Sequence, residues 1–310
     1  IIIIIIIDVE YLRRVRKLLK SKLNGGNTIK GINSWAVPVI RYTAGIVDWT
    51  LAELDELDRK TRKLMTANQT LHPQSDVDRL YLPRSEGGRG LQQIRQTVEE
   101  EKRSLSEYVS SRKEAALQEV KQEGLLIDGT KREFRRQELQ SRRQRWSSKP
   151  LHGQYLKNIE GKVDETLTWA WLKHGELKKE TEGFIMAAQD QALRTNAIKC
   201  KIDKTSNSSM CRLCGDREET VDHLVSSCSK IAQTDYKERH NKVAAMLHWN
   251  LCKKYGLPVT DKWWEHQTEK VMQSGEVKIL WDFKIQTDKH LSHNIPDITV
   301  VEKAQTYLID

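Results

Sequence analysis

CRLCGDREETVDHLVSSC runs from Cys211 to Cys228 and carries three cysteines and one histidine at C-x2-C-x8-H-x4-C spacing. Zinc prefers four tetrahedral ligands of nitrogen and sulfur type. Cys211 and Cys214 can place both thiolates on one knuckle-shaped turn, and Gly215 gives the backbone freedom to turn there. His223 and Cys228, five apart, suit the opening turns of a helix that returns both side chains to the metal. Asp222 is the candidate to orient the histidine. The plain alternative is three buried cysteines and a satisfied histidine. Four protein ligands leave no open position, so zinc held here is structural. No aromatic lies between Arg212 and Asp222 to stack on a base, so any nucleic-acid contact would go to phosphate through Arg212 and Arg217.

The rest of the chain sets limits on what surrounds this motif. Its 310 residues suggest about two domains. Only five cysteines are present, and Cys200 and Cys252 stand apart from the motif, which argues against a disulfide-stapled secreted protein. The net charge of +9 fits either a polyanionic partner or a solvated basic surface. The chain begins with seven isoleucines, too few to span a bilayer, with no charged segment before them to make a signal peptide. Residues 1–7 therefore read as a low-complexity leader, sticky if exposed as a strand. The strand-like run Tyr307-Leu308-Ile309 stops at Asp310 without a turn, which points to a fragment.

Upstream of the motif the pattern is helical. Asp8 is placed to N-cap a helix with Leu12, Val15, Leu19 and Leu23 on its apolar stripe, ended by Asn24-Gly25-Gly26. A second helix is expected from Trp35 to Val47, with Pro38 as a start or kink. Thr50-Leu51-Ala52-Glu53 is a capping box opening a helix with Leu54, Leu57, Thr61 and Leu64 in line. Arg79 to Pro83 alternates weakly, and Gly87-Gly88-Arg89-Gly90 reads as a tight turn, because it lacks the lysine and hydroxyl of a P-loop.

Gln92 to Glu123 reads as a long charged helix. Thr130-Lys131-Arg132-Glu133 is a second capping box. The helix it opens, Lys131 to Trp146, holds seven basic residues, Lys131, Arg132, Arg135, Arg136, Arg142, Arg143 and Arg145, against two acidic ones. These charges surround the axis, and Phe134, Leu139 and Trp146 are left to pack. Such a helix is either solvated or lies on a polyanion, and these seven residues are the candidate nucleic-acid contacts. Trp169, Trp171 and Leu172 look like core, and Gly183 to Asn196 reads as a buried helix.

At the far end, Ile298 to Val301 and Thr306 to Ile309 are short β-rich runs. A two-residue turn at Lys303-Ala304 would set Asp297 directly across from Asp310. Two carboxylates that close either hold a divalent metal such as Mg²⁺, as in nucleases, or are simply two solvent-facing aspartates. Asp282 and Asp288 are further carboxylates that could join them.

Several segments carry a family resemblance together. They are RYTAGIVDWTLAELDELDRKTRKLM, DRLYLPRSEGGRGL, AAQDQALRTN, the cysteine motif, YKERHNKVAAMLHWNLCKKYG and ILWDFKIQTDK followed by IPDITVVEK. In order and combination the chain resembles the carboxy-terminal half of non-LTR (LINE-type) retrotransposon polyproteins that carry a restriction-enzyme-like endonuclease. The resemblance implies a thumb-like helical region over 8–90, a basic helical linker region over 91–204, a CCHC zinc motif over 205–230, and the start of the endonuclease over 231–310.

It aligns Arg239-His240-Asn241 with an early endonuclease motif, and Asp297 and Asp310 with the acids of a PD-(D/E)xK-like core. It implies RNA and DNA as partners, no membrane, structural Zn²⁺, Mg²⁺ only at a complete nuclease site, and a nuclear parent protein. The chain contains no Asp-Asp dipeptide, so the polymerase palm of such a parent would lie upstream. The lysine that completes the nuclease site would lie beyond the second acid. The expected fold is mostly α with a small zinc motif and a truncated α/β end. The expected function is a nucleic-acid-binding fragment without polymerase activity. The alternatives are a residual Mg²⁺-dependent DNA endonuclease, or a decayed or host-adopted zinc-binding interaction protein.

Overall fold

Thr50 starts the helix most clearly written in the sequence. In the computed structural model, which describes residues 2–114, 117, 119, 126–289, 291, 293–303 and 305–310, its hydroxyl accepts the Glu53 backbone N–H at 3.3 Å. The Glu53 carboxylate in turn accepts the Thr50 backbone N–H at 2.9 Å. This reciprocal cap satisfies two donors that a helix start leaves free. The helix α4, Leu51–Ala67, buries Leu54, Leu57, Thr61 and Met65 on one face. Its neighbours in the core are α1 (Ile2–Lys20), α2 (Gly25–Gly31) and α3 (Val37–Thr43). Tyr11 on α1 and Thr61 on α4 share a hydrogen bond of 2.9 Å inside this core.

Several expectations change here. The isoleucine run is the first part of α1, with Ile7 buried and Ile4 packed against the core, so Asp8 lies inside the helix and does not cap it. The helix ends at Lys20, which leaves Leu23 exposed instead of on the stripe. Asn24 then caps α2, its side chain accepting the Asn27 N–H at 2.8 Å. Pro38 sits in the first turn of α3, after a five-residue π-helical turn, Ile32–Ala36. Arg79 to Pro83 is not extended. It overlaps a short helix, α5 (Val77–Tyr81), capped by Asp76. The next helix, α6, spans Ile94–Ser111, and most of the remaining stretch to Glu123 lies outside the described residues.

The second capping box forms as expected at Thr130 and Glu133 and opens α7, Lys131–Ser148. The helix is not exposed all round. It packs against α5 and α6 and buries Trp146 completely. Trp146, Trp169, Leu172, Leu82, Leu156 and Met186 make a second core. The helix expected over 183–196 is shifted toward the amino terminus, to α8 (Lys179–Gln189), with Asp190 at its end.

Arginine and carboxylate pairs tie this second core together. The Arg79 guanidinium lies 4.8 Å from the Trp146 ring and 5.7 Å from that of Trp169. It donates to Asp190 Oδ1 at 2.7 Å and to the Gly87 carbonyl at 2.8 Å. Glu182 takes both Arg89, at 3.0 Å, and Arg84. Arg79, Arg89, Asp190 and Glu182 are each about 1% exposed. Ions taken this far from water persist only when paired and hydrogen-bonded. The glycine turn packs closely against Leu82 and Trp169 of this core. Gly87 has φ +82°, and a Cβ on Gly88 would stand 2.1 Å from the Leu82 carbonyl oxygen.

The chain divides into two compact units, Ile1–Ile198 and Lys199–Asp310. The second holds the cysteine motif, one long helix and a sheet. That helix is α9, Lys237–Lys254. The sheet is an antiparallel meander of β1 (Val271–Ser274), β2 (Val277–Trp281), β3 (Ile298–Glu302) and β4 (Gln305–Ile309), in that order. A turn at Gly275-Glu276, with Gly275 at φ +56°, joins β1 to β2. The core of this unit is small: Cys252 and Leu257 against Ile279, Ile298 and Val300. Among the described residues, no helix is long and apolar enough to cross a membrane.

Candidate metal centre

The knuckle forms where the sequence places it. The Cys211 N–H donates to the Arg217 carbonyl at 2.7 Å, and the Gly215 N–H closes the turn onto the Cys211 carbonyl at 2.9 Å. Gly215 takes φ +73°, a left-handed position that glycine fills without strain. His223 to Ser227 is a single π-helical turn, and Cys228 follows it in extended conformation. An i→i+5 turn explains the spacing, since residues five apart lie close on such a turn but well apart on an α-helix.

The ligand atoms of Cys211, Cys214, His223 and Cys228 all lie within 4.8 Å of one another. Cys214 Sγ is 3.3 Å from His223 Nε2, and the sulfurs of Cys211 and Cys228 are 4.0 Å apart. Tetrahedral zinc with bonds of about 2.0–2.3 Å sets its ligand atoms about 3.5–3.8 Å apart, so the four residues fit such an ion. The backbone N–H of Asp216, directed at the sulfur from 3.5 Å, lowers the Cys214 thiol to about 7, whereas burial raises that of Cys228.

Residues other than the four ligands support the motif. The Ser227 hydroxyl lies 3.3 Å from His223 Nδ1. The Tyr236 hydroxyl donates toward the His223 and Leu224 carbonyls at 3.1 and 2.8 Å and accepts the Cys228 N–H at 3.0 Å. Arg239 stacks over Tyr236 and donates to the Val225 carbonyl at 3.0 Å. Nothing in the spacing of the motif marks these two residues. Arg212, expected to face phosphate, is spent on Glu219, with Nε 2.7 Å from its Oε2. Arg217 remains exposed.

The carboxylate pair lies elsewhere in this unit. Ile298 pairs with Ile309, so Asp297 and Asp310 stand at the next position of the expected register. Ala304 of the proposed turn lies outside the described residues. His240, on α9, reaches Asp297 with Nε2 2.8 Å from Oδ2, joining two motifs that are 57 residues apart. Asp282 holds Lys270 at 2.9 Å. Two groups of three or more metal-ligating side chains occur among the described residues, and Asp297 and Asp310 belong to neither.

The seven basic residues of α7 separate by environment. Arg142 is a correction: it is 4% exposed, paired with Glu138 at 2.9 Å and stacked on Tyr81, so no phosphate can reach it. Arg143 holds Glu165 at 2.8 Å, Arg145 holds Asp78 at 2.9 Å, and Lys131 holds Glu101 at 2.9 Å. Arg132, Arg135 and Arg136 are exposed, and Arg135 stands 3.9 Å from Glu100. The long apolar stems of arginine let such a helix pack while its heads find carboxylates, which net charge alone does not reveal. A groove of about 540 Å³ opens beside α7. Lys30, Arg41, Lys131 and Arg135 line it with the carboxylates of Glu100 and Glu101, while Arg84 and Arg89 in its wall are held by Glu182.

No family model matches the sequence, and no curated protein matches it.

Proposed function

We propose that this chain is a zinc-ordered, nucleic-acid-binding part of a retrotransposon reverse transcriptase and endonuclease. The four-residue Cys/His cluster carries the reading, because its ligand atoms lie within 4.8 Å of one another, close enough to share one zinc ion. Zinc there is structural and fixes the π-helical turn. RNA or DNA binds at the other unit, along the cationic groove and the exposed Arg132, Arg135 and Arg136. Affinity then comes from phosphate neutralisation and is sequence-independent.

Fluorescence anisotropy with a labelled RNA hairpin and a DNA duplex over a salt series tests the binding claim. Binding should weaken steeply with salt. The Arg132→Glu/Arg136→Glu double variant should lower the slope of log K against log salt by about two. Zinc content with no salt-dependent affinity for either nucleic acid would overturn this reading in favour of an interaction protein.

The register that sets Asp297 opposite Asp310 favours a second reading, a Mg²⁺-dependent endonuclease. Supercoiled plasmid incubated with Mg²⁺ would be nicked by the wild type above the level of Asp297→Ala. Equal nicking removes it.

A further inference from the structure

A second group of metal-ligating side chains lies in the Lys199–Asp310 unit, apart from the cysteine motif. His248 and Cys252 sit one turn apart on α9, and both are fully buried. His266 follows the short 3-10 turn Trp263–Glu265. Their ligand atoms lie within 4.8 Å of one another. His248 Nδ1 is 2.9 Å from His266 Nε2 and 3.6 Å from Cys252 Sγ. The Met272 thioether on β1 is 3.5 Å from the same sulfur.

Ordinary packing explains this arrangement poorly. The position of His248 faces the small apolar core, where leucine or phenylalanine would serve, and a polar ring there needs partners. Those it has are another imidazole and a thiol. Around tetrahedral zinc, nitrogen–nitrogen and nitrogen–sulfur pairs stand about 3.3 and 3.6 Å apart; the nitrogen–sulfur pair here has that separation, and the two imidazoles, at hydrogen-bond distance, need to open by about 0.4 Å to admit the ion. A spacing of four residues on a helix puts both side chains on one face, as helical metal sites require.

We propose that His248, Cys252 and His266 form a second binding site for a borderline-soft divalent metal, zinc foremost, with an open fourth position. A neutral imidazole offers its lone pair to such an ion, and His248 is held where Nδ1 faces both His266 and Cys252. Cys252 is a free cysteine, buried on the same helix face as His248. Coordination releases its proton to solvent and leaves the thiolate on the metal. His266 also lines an open groove of about 610 Å³ together with Trp263, Trp264 and Trp281. Water, or an oxygen or nitrogen ligand entering by that groove, completes the coordination.

The test is cobalt loading of the full chain. Protein stripped of metal and reduced is titrated with Co²⁺ and followed by visible and thiolate charge-transfer absorption. The wild type should take two equivalents. His266→Ala changes a partly exposed loop residue and should fold as the wild type does by circular dichroism, yet bind one equivalent fewer. Cys228→Ala should lose the other equivalent and keep the band of the His2Cys site. That last variant separates failure at the cysteine motif from failure here. One equivalent in the wild type, unchanged by His266→Ala, would overturn the proposal. So would two equivalents in both proteins.

Discussion

The two units reach stability by different means. Ile1–Ile198 buries an apolar core of twenty residues, from Ile7 to Val98, and adds a second core in which arginines and carboxylates replace part of the oil. Lys199–Asp310 has five residues in its largest apolar cluster, and both clusters of metal-ligating side chains among the described residues belong to it. A small core does not offset the entropy of ordering a chain, and metal sites are one way small folds make up the difference. The first unit can place charges inside because surrounding packing holds them. The second gathers sulfur and imidazole where packing is thin.

The largest effect belongs to the cysteine motif. Cys228→Ala should lose one zinc per chain by plasma emission and unfold the knuckle, because structural zinc contributes about 10–16 kcal/mol of apparent binding free energy in small domains. An unchanged zinc count would mean that the motif holds no zinc.

Next comes the buried ion network. Glu182→Ala strands Arg89 at 1% exposure and frees Arg84, and should destabilise the first unit by about 3–5 kcal/mol in urea titration. A loss below 1 kcal/mol, as exposed pairs give, would mean the network is ornamental.

Third is a pH effect. Asp58 on α4 accepts the Ile94 N–H at 2.9 Å and so caps α6, but burial raises it from its ordinary value to about 6. The folded state therefore holds the proton more tightly than the unfolded one. The stability this adds is fully present below about pH 4 and is lost as pH rises through about 6, a change of about 2–3 kcal/mol. The urea midpoint of Asp58→Asn should lack that pH dependence.

The smallest effect is Thr50→Ala, which removes one half of a capping box and should cost about 1 kcal/mol, all of it in the first unit.

What was readable in the sequence was local. Both capping boxes, the α4 stripe, the cysteine knuckle and the β3–β4 register each depend on residues within about twenty positions, and each stands where the spacing put it. The β1–β2 hairpin went unread although Ser274-Gly275-Glu276 between two β-rich runs is a local signal. Other misreadings arose from long-range packing. Helix α5 is five residues long, too short for periodicity to show, and its Arg79 pairs with Asp190, 111 positions away. The basic helix looked free because sequence does not reveal that Glu101, Asp78 and Glu165 come to meet it. His240 and Asp297 were separate motifs until α9 and β3 brought them together. His248, Cys252 and His266 were missed for a similar reason, since a metal site split between a helix and a loop has no compact signature.

Amide hydrogen exchange on the full chain, with and without a zinc chelator, shows whether metal holds the second unit folded. Chelation should strip protection from 211–228 and the surrounding Lys199–Asp310 unit, while the helices of Ile1–Ile198 exchange as before. Protection unchanged around the cysteine motif would contradict this, because the second unit would then stand without metal.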